Sequence, residues 1–314
     1  MKKILYAGAE VMPFAATGGL GDVLGSLPAA VKRKNPDCDV RVVMPLYGQI
    51  KAEWREKMTF VKYLMVPLAW RSLYCGIFAL EKDGVTFYFL DNEYYFKRTG
   101  CYGYYDDGER FAFFSKSVLE ALPFLGYYPD VLHCHDWQAA LAAIYLKTLY
   151  ADRPEYQKIR AFFTIHNIEY QGKYSCDILG DLFGLDEKYL PMLEYDGCLN
   201  LMKGAIECSE RVSTVSPTYA EEIKTARYAH GLDPIIRKNQ NKLLGILNGI
   251  DVDSYNCATD KALFANYTPD DFAGKAVCKK ELQKMLGLPE KDVPIIAMIT
   301  RLVSHKGVEL ENGH

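Results

Sequence analysis

Two glycines near the amino terminus lie where a phosphate could bind. Residues 4–7 form a short apolar run that predicts a buried strand, and the apolar residues within 20–27 have helical spacing. Gly18 and Gly19 fall at the junction, where the absence of side chains lets a ligand approach the free N–H groups and the positive dipole end of a helix. The segment therefore predicts a phosphate-binding loop. A tight turn that uses glycine for steric reasons alone is the competing interpretation.

The same glycines do not form a dinucleotide-binding fingerprint. In the pattern G-x-G-x-x-G that starts at Gly19 and continues at Gly21, the third glycine would fall at position 24, which is Leu24. An enzyme that uses a nicotinamide cofactor is therefore disfavoured.

Histidines follow two of the predicted strands at their carboxyl ends. His133 and His135 close one strand, and His166, followed by Asn167, comes directly after another. Ligands bind parallel sheets at the carboxyl ends of the strands, so these residues are candidates for catalysis or binding. His135 is the stronger candidate of the first pair, because His133 precedes Cys134 within the strand and can point into the sheet. A hydrogen-bonded core histidine is the competing interpretation for each of them.

Other catalytic arrangements find little support in the sequence. His133 and His135 lie two apart on one face of a strand, but no third ligand has the spacing of a metal site. The G-x-S-x-G pattern of a hydrolase nucleophile elbow does not occur. We therefore expect neither a metal ion nor a hydrolase triad.

Strand and helix patterns alternate through most of the chain. Strands are predicted at 39–44, 130–134, 161–165 and 211–215, and helices at 109–122, 137–150 and 199–208. Three further strands, at 60–66, 73–80 and 85–90, interrupt the alternation, and the last two are joined by a turn at Lys82-Asp83-Gly84. Repeated alternation of this kind predicts an α/β fold, in which a Rossmann-like parallel sheet is covered by helices.

Length, charge and cysteine content limit the classes of protein. The 314 residues suggest two domains, and a net charge of −3 argues against a nucleic-acid groove, which would need a basic excess. No apolar run approaches the ~18 residues of a membrane span, and the apolar stretch at the start is too short for a secretory signal. Nine cysteines without a C-x-x-C pair are typical of reduced thiols. We expect a cytoplasmic protein with no nucleic-acid or membrane partner.

The composition changes after residue 245, which predicts a domain boundary. Residues 243–251 predict a short strand that runs into an Asn248-Gly249 turn, and residues 255–269 are polar and irregular. A helix is predicted at 272–286, ended by Gly287, and a buried strand is predicted at 293–299. We therefore expect a first domain at 1–245, a connection at 246–271 and the start of a second parallel sheet at 272–314.

Seven motifs, taken in order, make the chain resemble a known family. It resembles the bacterial glycogen synthases and plant starch synthases, which are retaining glucosyltransferases of the two-domain GT-B architecture. The matching segments are GAEVMPFAATGGLGDVLGSLP (8–28), DDGERFAFFSK (106–116), PDVLHCHDWQAAL (129–141), FFTIHNIEYQG (162–172), STVSPTYAEEI (213–223), GILNGID (245–251) and TRLVSHKG (300–307). They cover nearly the whole chain. The resemblance implies the amino-terminal domain of a GT-B fold with only the first helix and strand of the second domain.

The resemblance also implies a reaction. The family moves glucose from ADP-glucose to the non-reducing end of an α-1,4-glucan such as glycogen, with retention at the anomeric carbon and without a cofactor. Its first domain binds the glucan acceptor and closes over ADP-glucose, which the second domain mainly holds. Two alternatives stay open: a non-catalytic α-glucan-binding or regulatory relative, and another GT-B transferase that uses a UDP-sugar. The oligomeric state and the preferred glucan length stay open as well.

The family's functional positions transfer one by one to this chain. The catalytic candidates are His135 against the donor glucose, Asp106 near the acceptor hydroxyl, and Arg301 and Lys306, which would neutralise the leaving diphosphate. The donor-binding candidates are Ala16, Thr17, Gly18, Gly19, Asn248, Arg301 and Lys306. The acceptor-binding candidates are Tyr94, Tyr95, His166 and Asn167. The two tyrosines belong to an aromatic cluster that loop packing would explain about equally well.

The chain departs from the family pattern at two places. The family's glycine motif reads Lys-Thr-Gly-Gly-Leu, and Ala16 stands at the lysine position. Loss of that charged contact would cost about 1.5–3 kcal/mol, so weaker catalysis is expected rather than none. The chain also ends at His314, before the family's E-x7-E motif and nucleotide pocket. We therefore expect the isolated chain to be inactive. We also expect residues 272–310 to be poorly packed or to borrow a surface from the first domain.

Overall fold

The computed structural model describes residues 1–300, and the chain divides into two compact units. The first unit is Met1–Gly249, and the second begins at Ile250. Every strand within the described residues belongs to the first unit. None of the helices in residues 1–300 is long and apolar enough to cross a membrane.

Strands and helices alternate along the first unit. The strands are β1 (Lys3–Ala7), β2 (Asp39–Pro45), β3 (Thr59–Leu68), β4 (Arg71–Lys82), β5 (Val85–Asp91), β6 (Val131–His135), β7 (Arg160–Ile165), β8 (Lys173–Tyr174), β9 (Glu194–Tyr195), β10 (Cys198–Asn200), β11 (Arg211–Thr214) and β12 (Leu243–Gly245). The helices are α1 (Gly19–Lys34), α2 (Ala52–Arg55), α3 (Glu93–Phe96), α4 (Asp107–Leu125), α5 (Asp136–Lys147), α6 (Ile178–Asp181), α7 (Leu190–Leu193), α8 (Leu201–Cys208), α9 (Pro217–Glu222), α10 (Asp233–Lys238) and, in the second unit, α11 (Ala273–Met285).

One large sheet forms the centre of the first unit. Its strands follow the order β12-β11-β7-β6-β1-β2-β5-β4-β3. All strands from β12 to β5 in this order are parallel, whereas β4 and β3 are added antiparallel at one edge. The parallel strands are short apolar runs because both faces of such a sheet are buried. In β1, for example, Leu5, Tyr6 and Ala7 are all buried.

Helices flank this sheet and complete its core. α4 packs on α5, α5 packs on α8, and α1 packs against β2. Residues Gln138 to Leu146 of α5 are all buried, so this helix is internal to the unit. The predicted α/β fold, with a parallel sheet covered by helices, is confirmed.

The strand order reverses between β1 and β6. From β1 the chain adds β2 and then β5 on one side, and from β6 it adds β7, β11 and β12 on the other. The connections that leave β1 and β6 therefore diverge and leave a crevice at the carboxyl ends of the two strands. Open α/β sheets bind ligands at such a point. The glycine segment after β1 and His135 at the end of β6 flank it.

The predicted hairpin is present, but the predicted Asn-Gly turn is not. β4 and β5 pair antiparallel, and the turn between them contains Asp83 and Gly84 with φ of 53° and 74°. Residues 246–250 form neither regular structure nor a turn. The N–H of Ile246 still bonds to the carbonyl of Thr214, and the chain leaves the sheet after that point.

Within residues 250–300, the second unit contains one helix and lacks the strand predicted at 293–299. α11 ends at Met285, and Gly287 follows with φ of 64°, as predicted for a helix end. Residues 293–299 do not form a strand, and Ile296 and Ile299 are 96% and 98% exposed. An apolar run becomes a strand only where a neighbour pairs its backbone groups, and the described part of this unit has no other strand. Gln283 is the one buried residue of α11, and the expected poor packing of this region stays a prediction.

Candidate functional site

The connection between β1 and α1 presents bare backbone at one side of the crevice. α1 begins at Gly19, and Gly18 is its N-cap residue in an extended conformation. A Cβ atom at either glycine would meet open space. The N–H of Gly19 has no hydrogen-bond acceptor in the described part of the chain. A phosphate therefore has room to approach the start of this helix.

Two neighbouring glycines serve packing instead. A Cβ atom at Gly8 would lie 2.1 Å from Cδ1 of Leu24, and one at Gly21 would lie 2.3 Å from Cβ of Ala16. These glycines let α1 pack closely against the loop that precedes it. The purely steric interpretation is therefore correct for them, whereas the pair at the helix start has no such neighbour.

Glu10 is a buried carboxylate that holds the loop in place. It accepts hydrogen bonds from the N–H and the hydroxyl of Thr17, the latter at 2.8 Å, and from the N–H of Gly18 at 3.2 Å. The hydroxyl of Tyr102 donates a further bond at 2.6 Å. Two of the predicted donor-binding residues thus already have an internal acceptor, and the half-buried Ala16 beside them brings no charge. Glu10 was missed in the sequence; a carboxylate between an apolar strand and a glycine run was the available signal.

Two of the predicted histidines meet at the end of the sheet. Nδ1 of His135 lies 2.9 Å from Nε2 of His166, and the buried Nε2 of His135 has no hydrogen-bond partner within residues 1–300. Burial lowers the pKa of His166 to about 4 and the pKa of His135 well below its ordinary value. Both rings are therefore neutral near pH 7. A buried ring nitrogen without a partner can pair with a hydroxyl of a ligand.

His133 is a core residue with an internal partner. Its Nε2 lies 2.6 Å from Oγ1 of Thr164, which in turn lies 2.8 Å from Oγ of Ser213. Burial lowers the pKa of His133 to about 3, so this ring is also neutral. The free ring nitrogen of the pair thus belongs to His135, the residue that the strand pattern favours.

Asp136 connects the ends of β6 and β7. It adopts a left-handed backbone with φ of 54°, which is uncommon for a residue other than glycine. Its Oδ1 accepts the N–H of His166 at 2.7 Å. Burial raises the pKa of Asp136 to about 7; the N–H groups of His166 and Asn167 oppose this rise, and the charge of Glu10 adds to it. Asp136 follows a strand-terminal histidine, so the rule that ligands bind at strand ends includes it, but no sequence pattern assigned it a role.

Asp106 lies at the start of α4 and is held by an arginine. Both of its carboxylate oxygens accept hydrogen bonds from Arg98 at 2.6 Å. Burial works against ionisation, but the bonds from Arg98 outweigh it and leave the pKa of Asp106 below its ordinary value. Asp106 is therefore ionised near neutral pH. It can orient a hydroxyl but is a weak proton acceptor.

The two tyrosines predicted to bind an acceptor differ in exposure. Tyr94 is 71% exposed, whereas Tyr95 is 1% exposed and its hydroxyl donates to Glu109. Tyr95 offers no ring face to a ligand in this conformation, and packing explains its position. Tyr94 presents the free ring of the pair.

The other predicted positions are spread more widely. Asn167 adjoins His166, and its Oδ1 accepts the N–H of Glu169 at 2.9 Å. Asn248 is exposed in the irregular segment after β12. Arg301 and Lys306 lie outside the described residues. Within residues 1–300, no group of three or more His, Cys, Asp or Glu side chains could hold a metal ion.

A solved structure has the same fold as this chain. The catalytic domain of starch synthase IV from Arabidopsis thaliana, solved bound to ADP and acarbose, matches it with a TM-score of 0.90 and 36% sequence identity. The match covers 99% of this chain and 64% of the Arabidopsis chain. Together with the crevice at the reversal of strand order, this similarity identifies a domain of the GT-B glycosyltransferase class.

Sequence comparison identifies the family. Residues 3–238 match the family model described as the starch synthase catalytic domain. The glycogen synthases of Desulforamulus reducens and Geobacillus stearothermophilus are each 48% identical to the chain over 311 residues. The chain belongs to the starch synthase catalytic domain family, as the motifs predict. It spans 64% of the length of these two relatives, and the aligned part covers 98% of this chain.

Proposed function

We propose that the chain forms the acceptor side of a glycogen or starch synthase. In the proposed reaction, glucose moves from ADP-glucose to the non-reducing end of an α-1,4-glucan, with retention at the anomeric carbon. Family membership supports the reaction type. The ADP in the Arabidopsis structure favours ADP-glucose over a UDP-sugar as the donor.

The Nε2 atom of His135, which has no hydrogen-bond partner within residues 1–300, is the observation that carries this proposal. Leaving such a buried polar atom unpaired costs about 1–3 kcal/mol, and a ligand that pairs it recovers this free energy. A hydroxyl of the donor glucose has the required chemistry. Strand β1 neighbours β6 in the sheet, and Gly19 begins the helix that follows β1. The N–H of Gly19 would bind the diphosphate of the same donor.

The acceptor side of the crevice has its own set of groups. Asp106 remains ionised against Arg98, so we assign it the task of orienting the acceptor hydroxyl rather than removing its proton. The exposed ring of Tyr94 would pack against a sugar of the glucan. His166 would act through His135, because it fixes the orientation of that ring.

The remaining roles fall on residues near and beyond the end of the described chain. Arg301 and Lys306 would neutralise the leaving diphosphate, and Asn248 would contact the donor. About a third of the length of the relatives has no counterpart in these 314 residues. We therefore propose that the 314 residues by themselves bind glucan without transferring glucose.

We also propose that the protein works in the cytoplasm. All nine cysteines are free thiols in the structure, including the exposed Cys257. Unpaired thiols are typical of proteins from a reducing compartment. Protein recovered chiefly with the membrane fraction after cell lysis would contradict this assignment.

Glucose incorporation into glycogen tests the proposed reaction. We define the extended enzyme as residues 1–314 joined to the corresponding remainder of the Geobacillus stearothermophilus relative. This protein should incorporate glucose from ADP-glucose, and His135→Ala should slow incorporation by about tenfold to a hundredfold. His230→Asn is the matched control, because His230 is exposed and asparagine tolerates its left-handed backbone.

The outcomes separate the candidate functions. Near-normal turnover of a folded His135→Ala protein would remove this residue from the reaction centre. Incorporation from UDP-glucose in preference to ADP-glucose would support another GT-B transferase. Glycogen binding without incorporation from either donor would favour a binding or regulatory relative, for which the uncharged Ala16 beside Glu10 is the supporting feature.

A further inference from the structure

One face of the β3–β4 hairpin exposes large apolar side chains that the crevice does not use. Phe60, Tyr63, Met65 and Tyr74 are each between 42% and 58% exposed. The hairpin forms the antiparallel edge of the large sheet, where β2 and β5 separate it from β1. An exposed apolar cluster of this kind marks a surface that contacts another molecule.

Contacts between the rings make these side chains one continuous patch. The rings of Tyr63 and Tyr74 are stacked, with centroids 5.9 Å apart. The ring of Phe60 packs on that of the half-buried Phe78, with centroids 5.3 Å apart. Met65 lies opposite Tyr74 in the strand register. We call these five residues the aromatic patch.

An open pocket lies on the same face, nearer the turn between β4 and β5. Its volume is about 520 Å³, and its lining includes Trp54, Lys57, Thr59, Leu80 and Lys82. Leu80 and Lys82 alternate in β4 with Tyr74 and Phe78, so all four side chains point to one side of the sheet. A volume of this size is in the range that holds a small molecule or a few side chains. We call this depression the tryptophan pocket.

The patch and the pocket lie on either side of a common centre. Tyr74 and Lys82 are each four residues from Phe78 along β4, which corresponds to about 14 Å in a strand. A two-fold axis that lies in the plane of this face and crosses β4 at Phe78 would place the Tyr63 and Tyr74 rings of one copy over the tryptophan pocket of another. The same axis brings Phe78 against its own counterpart. The face is therefore complementary to itself, as a two-fold interface requires.

The exposed area of the patch suits one side of a dimer interface. A fully buried aromatic side chain covers roughly 150–250 Å², so four large side chains that are each about half exposed offer about 400 Å² of apolar surface. A standard interface buries about 800 Å² of each partner, of which roughly 56–58% is non-polar. The aromatic patch thus supplies most of the apolar area that each copy needs.

Charges of both signs surround the patch. Lys82 contacts Asp83 at the pocket end of the face. At the other end, burial raises the pKa of Asp91, and the charges of Arg55 and Lys97 oppose this rise. Neither end presents a single sign of charge to a polyelectrolyte such as a nucleic acid. An apolar centre within a mixed polar rim is typical of a contact between proteins.

The face of the hairpin, rather than its edge, is open to such a contact. The register of β3 shifts between Phe60 and Lys62, which marks a bulge, and Pro67 lies in the same strand. Bulges, lysines and prolines on an edge strand oppose the addition of another strand. Pairing of two β3 strands into one continuous sheet is therefore disfavoured, and the exposed side chains carry the contact.

We propose that two copies of the chain form a symmetric dimer through this face. The stacked rings of Tyr63 and Tyr74 in each copy pack in the tryptophan pocket of the other, and Phe60 and Phe78 form the centre of the interface. Both crevices stay open, because β2 and β5 lie between the hairpin and β1. The dimer does not depend on the proposed function, so failure of either leaves the other standing.

Sedimentation velocity of the 314-residue chain over a range of concentrations tests the proposal. The chain should sediment at twice its mass of 35.6 kDa, with a dissociation constant of about 1 μM or lower, because interfaces of this size reach at least micromolar affinity. Tyr63→Ser/Tyr74→Ser removes the rings that fill the pocket and should raise this constant by about tenfold or more. Tyr228→Ser, which changes another exposed tyrosine, is the matched control and should dimerise normally.

Thr59→Trp tests the docking geometry. Thr59 is exposed and lines the pocket, so a tryptophan there fills the pocket and adds apolar surface at the same time. Docking of the rings predicts a dissociation constant about tenfold higher, whereas non-specific association of apolar surfaces predicts one that is equal or lower. Far-UV circular dichroism should show each variant folded like the unchanged chain.

Three results would overturn the proposal. A chain that is monomeric at about 100 μM has no such dimer, and its exposed face would then belong to a different protein. An unchanged dissociation constant in folded Tyr63→Ser/Tyr74→Ser would place the interface elsewhere. Dimerisation of folded Thr59→Trp as tight as that of the unchanged chain would exclude docking in the pocket.

Discussion

Replacing Asp136 by asparagine should change how stability depends on pH. Burial raises the pKa of Asp136 from an ordinary 3.8 to about 7. The N–H groups of His166 and Asn167 oppose this rise, and the charge of Glu10 adds to it. Asparagine has nearly the same shape, its Oδ1 can accept the same N–H, and it tolerates the left-handed backbone. The substitution therefore removes the ionisation and leaves the local geometry in place.

The sign and size of the effect follow from linkage. The folded state binds this proton more tightly than the unfolded state does, so protonation of Asp136 stabilises the fold. This stabilisation is fully present below the unfolded pKa of 3.8 and is lost as the pH rises to about 7. A shift of about three units corresponds to at most ~4 kcal/mol, of which about 2–3 kcal/mol falls between pH 5 and 7. The buried histidines act oppositely: burial lowers the pKa of His133 to about 3 and that of His166 to about 4, so their stability contribution grows with pH. The difference between unchanged and variant protein isolates the carboxylate.

Urea unfolding at pH 5, 6, 7 and 8 measures this difference. The unfolding free energy of the unchanged chain, minus that of Asp136→Asn, should fall by about 2–3 kcal/mol from pH 5 to 7 and then level off. Asp37→Asn, which makes the same substitution at an exposed position, is the control. A difference that stays constant from pH 5 to 8 would refute the reasoning.

Three further predictions concern other parts of the chain. Ala16→Lys in the extended enzyme should raise glucose incorporation about tenfold to a hundredfold by supplying a cation near Glu10, and an unchanged rate would mean that the charge is not needed. Arg98→Met leaves the Asp106 carboxylate, which is 6% exposed, without its counter-ion. The unfolding free energy in urea titrations should therefore fall by about 3 kcal/mol, and a fall below about 1 kcal/mol would show that water replaces the arginine. Amides of α11 and of residues 293–299 should exchange about a thousandfold faster than those of β1, since Gln283 is the one buried residue of that helix; equal protection would contradict this.

The core of the fold could be predicted because local and long-range requirements coincide there. A strand buried on both faces must be a short apolar run, and residues 130–134 match β6 (Val131–His135) within one residue at each end. The hairpin turn was predictable for the same reason, since Asp83 and Gly84 tolerate the left-handed backbone that it requires.

What could not be predicted from the sequence depends on distant neighbours. The run at 293–299 has the pattern of a buried strand, but it has no partner strand in the described chain and stays exposed. Tyr95 and Tyr94 are adjacent and identical, yet one packs inside and the other faces solvent. No local pattern distinguishes such cases, because the burial of a side chain depends on which distant segments of the chain pack against it.

The site could be predicted in part. The rule that ligands bind at strand ends selects His135 and His166, and the structure brings their rings together. The contact between Tyr102 and Glu10 joins residues 92 positions apart, and Asp136 acquires its raised pKa from burial that no sequence pattern reports. The residues that support the site were therefore harder to find than those that line it.

The Glu10 carboxylate also competes with a bound phosphate for the N–H groups that precede α1. A phosphate oxygen that takes the N–H of Thr17 or Gly18 must exchange places with a carboxylate of its own sign. The Tyr102 hydroxyl already donates to this carboxylate and is a partner that the displaced group could keep. In the proposed reaction, the nucleotide product would leave such a site sooner than it would leave an unoccupied helix end, which favours repeated addition over tight retention of the product.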